Sequence, residues 1–240
     1  VLAVELGVEY DQRTKLEVIE DLIAQGVDAV TAVRPRDVLT MNQKFLPLGG
    51  FSNKTTVGEI ESGRYMIYLS DRYGFNNPDS EWDSGEVDWL LIGDSFTHSA
   101  AVQPGQEIAG QLRSITGNST INLGISGNGP LLEYAELIEY GTTLKPAKVL
   151  WIYFEGNDLA DFQVEQTNLL LMQYMEDGFS QNLISRQKEI DSRLGKYIVS
   201  AKAKAKAKAK AEAKAKAEEQ AQAQLVSAKA KAQAQLYKTR

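Results

Sequence analysis

The sequence predicts an α/β fold built on a parallel sheet, and three observations carry that prediction. Candidate strands recur at 87–92, 120–123 and 148–154. The first is a short, nearly continuous apolar run, as in strands buried on both faces. Segments with helical spacing separate them, and strand, helix, strand, helix, strand implies right-handed parallel crossovers.

The elements follow in order. Residues 1–86 read as an N-terminal lead-in. Thr14-Lys15-Leu16-Glu17 fits a capping box, in which the Thr and Glu side chains satisfy orphan backbone donors. Leu16, Ile19 and Ile23 then keep helical spacing, and Gly26 marks the stop. Residues 65–70 predict a short strand, and Asp71 to Pro78, with one Gly, two Asn and a Pro, predicts turns. Residues 87–198 hold the α/β region. Within it Ile108, Leu112 and Ile115 predict a helix stopping at Gly117. Pro130 opens another, with Leu131, Tyr134 and Ile138 on one face and Gly141 at its end. The stretch 162–198 reads as helical. Tyr134, Trp151 and Tyr153 are expected to pack in the core or on the sheet. Residues 199–240 form a low-complexity Ala/Lys tail. Lys at every second position spreads charge around the whole helix, so no apolar stripe remains for docking, and a helical or disordered solvated spacer is expected.

Charge narrows the function classes. The last forty residues carry ten Lys, one Arg and three Glu, a net +8, which leaves −14 on the first 200. An acidic globule argues against nucleic acid as a partner. The absence of cysteine removes disulfides and thiolate metal sites. The sequence has no Gly-x-Gly-x-x-Gly or Walker-type loop and no metal-ligand cluster, so no cofactor is expected. No apolar stretch is long enough to span a bilayer, and no signal peptide is visible. Val1 in place of Met is what a fragment or processed form would show.

Three segments bear chemistry, each directly after a predicted strand: Gly93-Asp94-Ser95-Phe96-Thr97, Gly124-Ile125-Ser126-Gly127-Asn128 and Glu155-Gly156-Asn157-Asp158. A parallel sheet delivers all three to its carboxyl edge, where such folds place their sites. A Ser on a tight turn offers a hydroxyl and its own N–H, a Gly admits close backbone approach, and an Asn amide can donate to an oxyanion. The segments resemble blocks I, II and III of the SGNH/GDSL hydrolases, esterases and lipases with a three-layer, flavodoxin-like α/β/α sandwich. The resemblance spans about 70 residues in its motifs and more loosely 10–198. It implies Ser95 as nucleophile, and an oxyanion hole of the Ser95 N–H, the Gly127 N–H and the Asn157 amide. It implies that Asp94 orders the nucleophile loop. It also implies an acyl ester of carbohydrate or lipid as substrate, and an extracytoplasmic or membrane-anchored setting, the anchor lying outside this chain.

One departure is plain. The family takes its Asp and His from a later Asp-x-x-His block, and nothing after Asn157 resembles it. The one histidine, His98, lies three residues past the nucleophile, poorly placed to reach the hydroxyl. It is expected to line the site mouth, and the sheet is expected to be incomplete at its C-terminal end. Two rivals share these residues: a polysaccharide O-acyltransferase, with the same site and another acceptor, and a non-catalytic SGNH-like module that binds glycans or scaffolds an assembly.

Overall fold

The computed structural model describes residues 10–40, 43–99, 102–204, 206–208, 210, 211 and 216. The chain divides into two compact units, Val1–Leu194 and Gly195–Arg240.

In the first unit, Thr14 caps helix α1 (Lys15–Ala24) with the expected capping box, Thr14 N–H donating to Glu17 at 2.7 Å and Glu17 N–H to Thr14 Oγ1 at 3.3 Å. The helix buries Val18 and Ile19 and leaves Leu16 and Ile23 exposed, so its inner face is rotated from the one the spacing predicts. It covers a small sheet of β1 (Ala29–Thr31), β2 (Thr55–Val57) and β3 (Ile67–Leu69), in which β1 runs parallel and β3 antiparallel to β2. Ala29, Val57 and Tyr65 complete that core.

The second sheet contains β4 (Trp89–Gly93), β5 (Thr120–Asn122) and β6 (Lys148–Ile152) in the order β5-β4-β6. Both outer strands run parallel to β4, with Leu91 opposite Asn122 on one side and Leu150 on the other. The parallel direction is the one that the alternation of strands and helices predicts. Leu90, Leu91 and Ile92 are fully buried, so the central strand is the heart of the unit. β6 forms an edge, with Val149 and Trp151 exposed. Trp151 and Tyr153 are therefore surface aromatics at the sheet rim rather than packed ones.

The crossovers are α2 (Ser95–His98), α3 (Ile108–Thr116) and α4 (Pro130–Glu136), followed by α5 (Asp158–Glu165) and α6 (Leu169–Met172). α3 ends at Gly117 with φ +70°, as expected, but its buried face is Ala109 and Gly110 while Ile108 and Ile115 are exposed. The helix is drawn in by the ion pair of Arg113 with the buried Glu107 at 3.0 Å. α4 continues through a π turn, Leu137–Gly141, and a 3-10 turn, Thr142–Leu144. Gly141 is a contact point rather than a stop, since a Cβ there would lie 2.6 Å from Leu90 Cδ2 on the central strand. The stretch 162–198 is not one helical tract. Asn168 caps α6 through Leu170 N and Leu171 N at 3.0 Å, and Gly178 turns the chain at φ +80°. Buried Glu139 then gathers the loop, accepting from Tyr174 Oη, Ser180 Oγ and the N–H groups of Gln181 and Leu183.

The lead-in is built into the parallel sheet. Asp71 accepts from the N–H groups of Tyr73 and Phe75 and from the side chains of Asn77 and Trp82. Asn77 then pairs with both backbone groups of Asn122, at 2.9 and 2.8 Å, which holds β5 in place.

In the second unit, the described residues 195–204, 206–208, 210, 211 and 216 are helical, and 202–204 are exposed. Most of 199–240, and so most of the tail expectation, lies outside the described residues. No described helix is long and apolar enough to cross a membrane.

Candidate active site

Central strand β4 delivers Gly93 and Asp94 to the sheet's carboxyl edge. A Cβ on Gly93 would lie 2.2 Å from Thr97 Oγ1, so only glycine lets α2 sit this close. Asp94 is buried and caps α2, its Oδ1 accepting from Phe96 N–H at 3.0 Å. Ser95 opens α2 half-buried, beside a cleft of about 260 Å³ walled by Phe96, Val102 and Ile108. Among the described residues its hydroxyl has one side-chain partner, Asp94 Oδ2 at 3.4 Å, and its N–H has no acceptor.

The second loop leaves β5 against α2. Asn122 donates from Nδ2 to Thr97 O at 2.6 Å and accepts from Gly124 N–H at 2.8 Å. A Cβ on Gly124 would meet Thr97 Cβ at 2.5 Å. Ile125 N–H donates to Gly93 O at 3.3 Å, joining the second loop to the first. Gly127 then turns with φ +81°, a conformation that favours glycine, and among the described residues its N–H has no acceptor.

The third loop leaves β6. Asp158 Oδ2 accepts from Phe154 N–H at 2.6 Å, closing its own turn. Phe154 packs on Phe96 with ring centroids 4.8 Å apart, which ties the third loop to the turn that carries Ser95. Asn157 stands at the N-cap of α5, yet its side chain makes no capping bond. Its Nδ2 donates instead to Asp161 Oδ2 at 2.8 Å. Asp161 Oδ1 accepts from Arg36 Nη1 at 2.5 Å, and Arg36 reaches Gly127 O at 3.5 Å. Gly127 and Asn157 are thereby joined through two residues the sequence reading missed. The available signals were a charged cluster, Arg34 to Asp37, in the lead-in and an acid four residues past Asn157.

His98 does not line the site mouth. It is 5% exposed, and both ring nitrogens are engaged. Ser126 N–H donates to Nδ1 at 3.2 Å, which assigns the proton to Nε2, facing Tyr68 Oη at 3.2 Å. Burial lowers its pKa to about 4, so the ring is neutral near pH 7. His98 fastens α2 to the second loop and to β3, and in this position it does not serve Ser95 as a base.

Behind the loops lie three buried carboxylates. Glu165 accepts from the N–H groups of Gly129, Leu131 and Leu132, capping α4. Glu136 accepts from Asn128 Nδ2 and Glu133 from Trp151 Nε1, each at 2.6 Å. Burial raises Glu165 to about 7 and Glu133 to about 8, and lifts Glu136 well above its ordinary value. Groups raised on folding contribute stability that is complete below their unfolded pKa and is lost as pH rises through the folded one. His98, lowered on folding, acts in the opposite sense, but only between about 4 and 6.5. From pH 6.5 to 8.5 the carboxylates therefore dominate. Stability is expected to fall by on the order of a few kcal/mol across that window, read as the urea midpoint. Glu133→Gln keeps an acceptor for Trp151 and should flatten the decline. A midpoint that rises over this range would contradict the assignment. Among the described residues, no group of His, Asp and Glu is disposed to hold a metal ion. No protein-family model, no curated protein and no solved structure matches the chain.

Proposed function

We propose that Ser95, Gly127 and Asn157 are the nucleophile and oxyanion side of a serine ester hydrolase site of SGNH/GDSL type, within a three-layer α/β/α sandwich. The substrate is an acyl ester of carbohydrate or lipid. One observation carries the reading: the three motif loops leave one edge of a parallel sheet, with Ser95 just past the central strand and the other two loops after its immediate neighbours. In the reaction Ser95 Oγ attacks the acyl carbon. The carbonyl oxygen takes up negative charge and is met by the N–H groups of Ser95 and Gly127 and by the Asn157 amide. The Ser95 proton passes to a base, which hands it to the departing alkoxy oxygen as that C–O bond breaks, so the alcohol leaves and water hydrolyses the acyl-enzyme. The resemblance assigns that base to a His held by an Asp in a later block. His98, turned inward, favours a second reading in which the module binds glycan without catalysis.

Labelling separates the two. The 240-residue chain should turn over aryl acetates slowly or not at all, since an unassisted hydroxyl is a weak nucleophile. With imidazole supplied as an external base, a fluorophosphonate should modify Ser95, detected by peptide mass, and leave Ser95→Ala unmodified. A folded chain that stays unmodified at Ser95 under these conditions overturns the hydrolase reading in favour of the binding module.

A further inference from the structure

We propose that Arg36 and Asp161 are positioning residues for the oxyanion side of this site. Asp161 fixes the plane of the Asn157 amide, while Arg36 neutralises that carboxylate and steadies the Gly127 turn. The inference rests on the reading of Asn157 given above.

The geometry is specific. An Asn side-chain amide turns broadly about χ2, so an unsupported one donates in many directions. Here one hydrogen of Asn157 Nδ2 is held on Asp161 Oδ2 at 2.8 Å, which sets the amide plane and with it the direction of the second N–H. A preorganised donor is worth more than one that must be ordered during reaction. Asn157 makes this bond in place of the capping bond usual at its position.

The arrangement brings a carboxylate close to an atom meant to stabilise negative charge. At an effective dielectric of about 20, a bare unit charge a few ångströms away would slow the reaction more than tenfold. Arg36 answers that charge, with Nη1 2.5 Å from Asp161 Oδ1. The same Nη1 lies 3.5 Å from Gly127 O, so one guanidinium spans both oxyanion loops. The Arg36 side chain is 42% exposed and Asp161 10%. Asp161 is thus buried while Arg36 stays half-exposed, so loss of Arg36 would leave the carboxylate without its counter-charge. Arg36 belongs to the lead-in, on the 3-10 turn Pro35–Val38, which gives that region a part in the site.

Imidazole-assisted phosphonylation of Ser95 provides one test. Arg36→Ala should slow it about tenfold or more, because the carboxylate is left bare beside the developing charge. Adding Asp161→Asn to that variant removes the charge and keeps an acceptor for Asn157, so most of the rate should return. A purely structural ion pair would not show this rescue. A single variant as fast as the unmodified chain, or a double variant no faster than the single, overturns the inference. The second test needs no reaction. By NMR, the Asn157 Nδ2 hydrogen held on Asp161 should exchange slowly with solvent, and Asp161→Ala should speed that exchange. Unchanged exchange in Asp161→Ala overturns the positioning role. Failure of Ser95 to label in the unmodified chain strikes instead at the hydrolase reading.

Discussion

Replacing Asn157 with alanine is expected to slow acylation of Ser95 by roughly 10²–10³-fold, the usual loss for one oxyanion donor. With imidazole supplied as the base, turnover should fall by the same factor. Stability should hardly change, because the Asn157 side chain makes no helix cap and its one side-chain partner among the described residues, Asp161, keeps its ion pair with Arg36. The loss should appear in the chemical step, since the donor acts on charge that develops there. Acylation rate per folded molecule, set beside a urea midpoint, checks both halves. If removal of Asn157 unfolds the protein while sparing acylation of the folded fraction, Asn157 is a turn residue and the oxyanion assignment fails.

The largest stability effect is expected at Asp71. Its carboxylate is fully buried and takes four donors at 2.8 to 3.0 Å: Tyr73 and Phe75 N–H, Asn77 Nδ2 and Trp82 Nε1. Burial raises its pKa to about 6, with those hydrogen bonds acting against the rise. Asp71→Ala leaves four buried donors without an acceptor. At about 1–3 kcal/mol for each unsatisfied group, discounted because neighbours are not additive, the cost should be about 4 kcal/mol. For a unit of this size that lowers Tm by roughly 10 °C. Asn77 would also lose its anchor, so β5 and the Gly127 loop should loosen before the rest, visible as earlier amide exchange at Ile121 to Gly124. Asp71→Asn, which retains one acceptor oxygen, should cost less. A loss under about 1 kcal/mol in Asp71→Ala would show that solvent or other groups satisfy those donors.

The central strand was legible in the sequence because a strand buried on both faces is largely apolar, and Trp89 to Ile92 is a continuous apolar run. The inner helix faces were not. Periodicity points to Tyr134 and Ile138 on α4, but the helix buries Glu133, Glu136 and Glu139. A glutamate enters a core only with partners, and these come from far along the chain: Trp151 for Glu133, and Tyr174, Gln181 and Leu183 for Glu139. No local window contains them. The site divides in the same way. Ser95, Gly127 and Asn157 follow strands and could be found by motif. Arg36 and Asp161, 125 residues apart, meet only through the fold. His98 was misplaced because spacing along one helical turn says nothing of which way the ring faces.

The inward ring of His98 also makes the chain self-reporting. It is the one imidazole in 240 residues, and it bridges the helix that Ser95 opens, the Gly127 loop and the small sheet. A single pair of ring-carbon proton signals thus carries information on all three at once. While they are assembled, that pair should hold its position down to acid pH. A conventional titration near neutrality would signal that the three have come apart, with no label attached and no substrate needed.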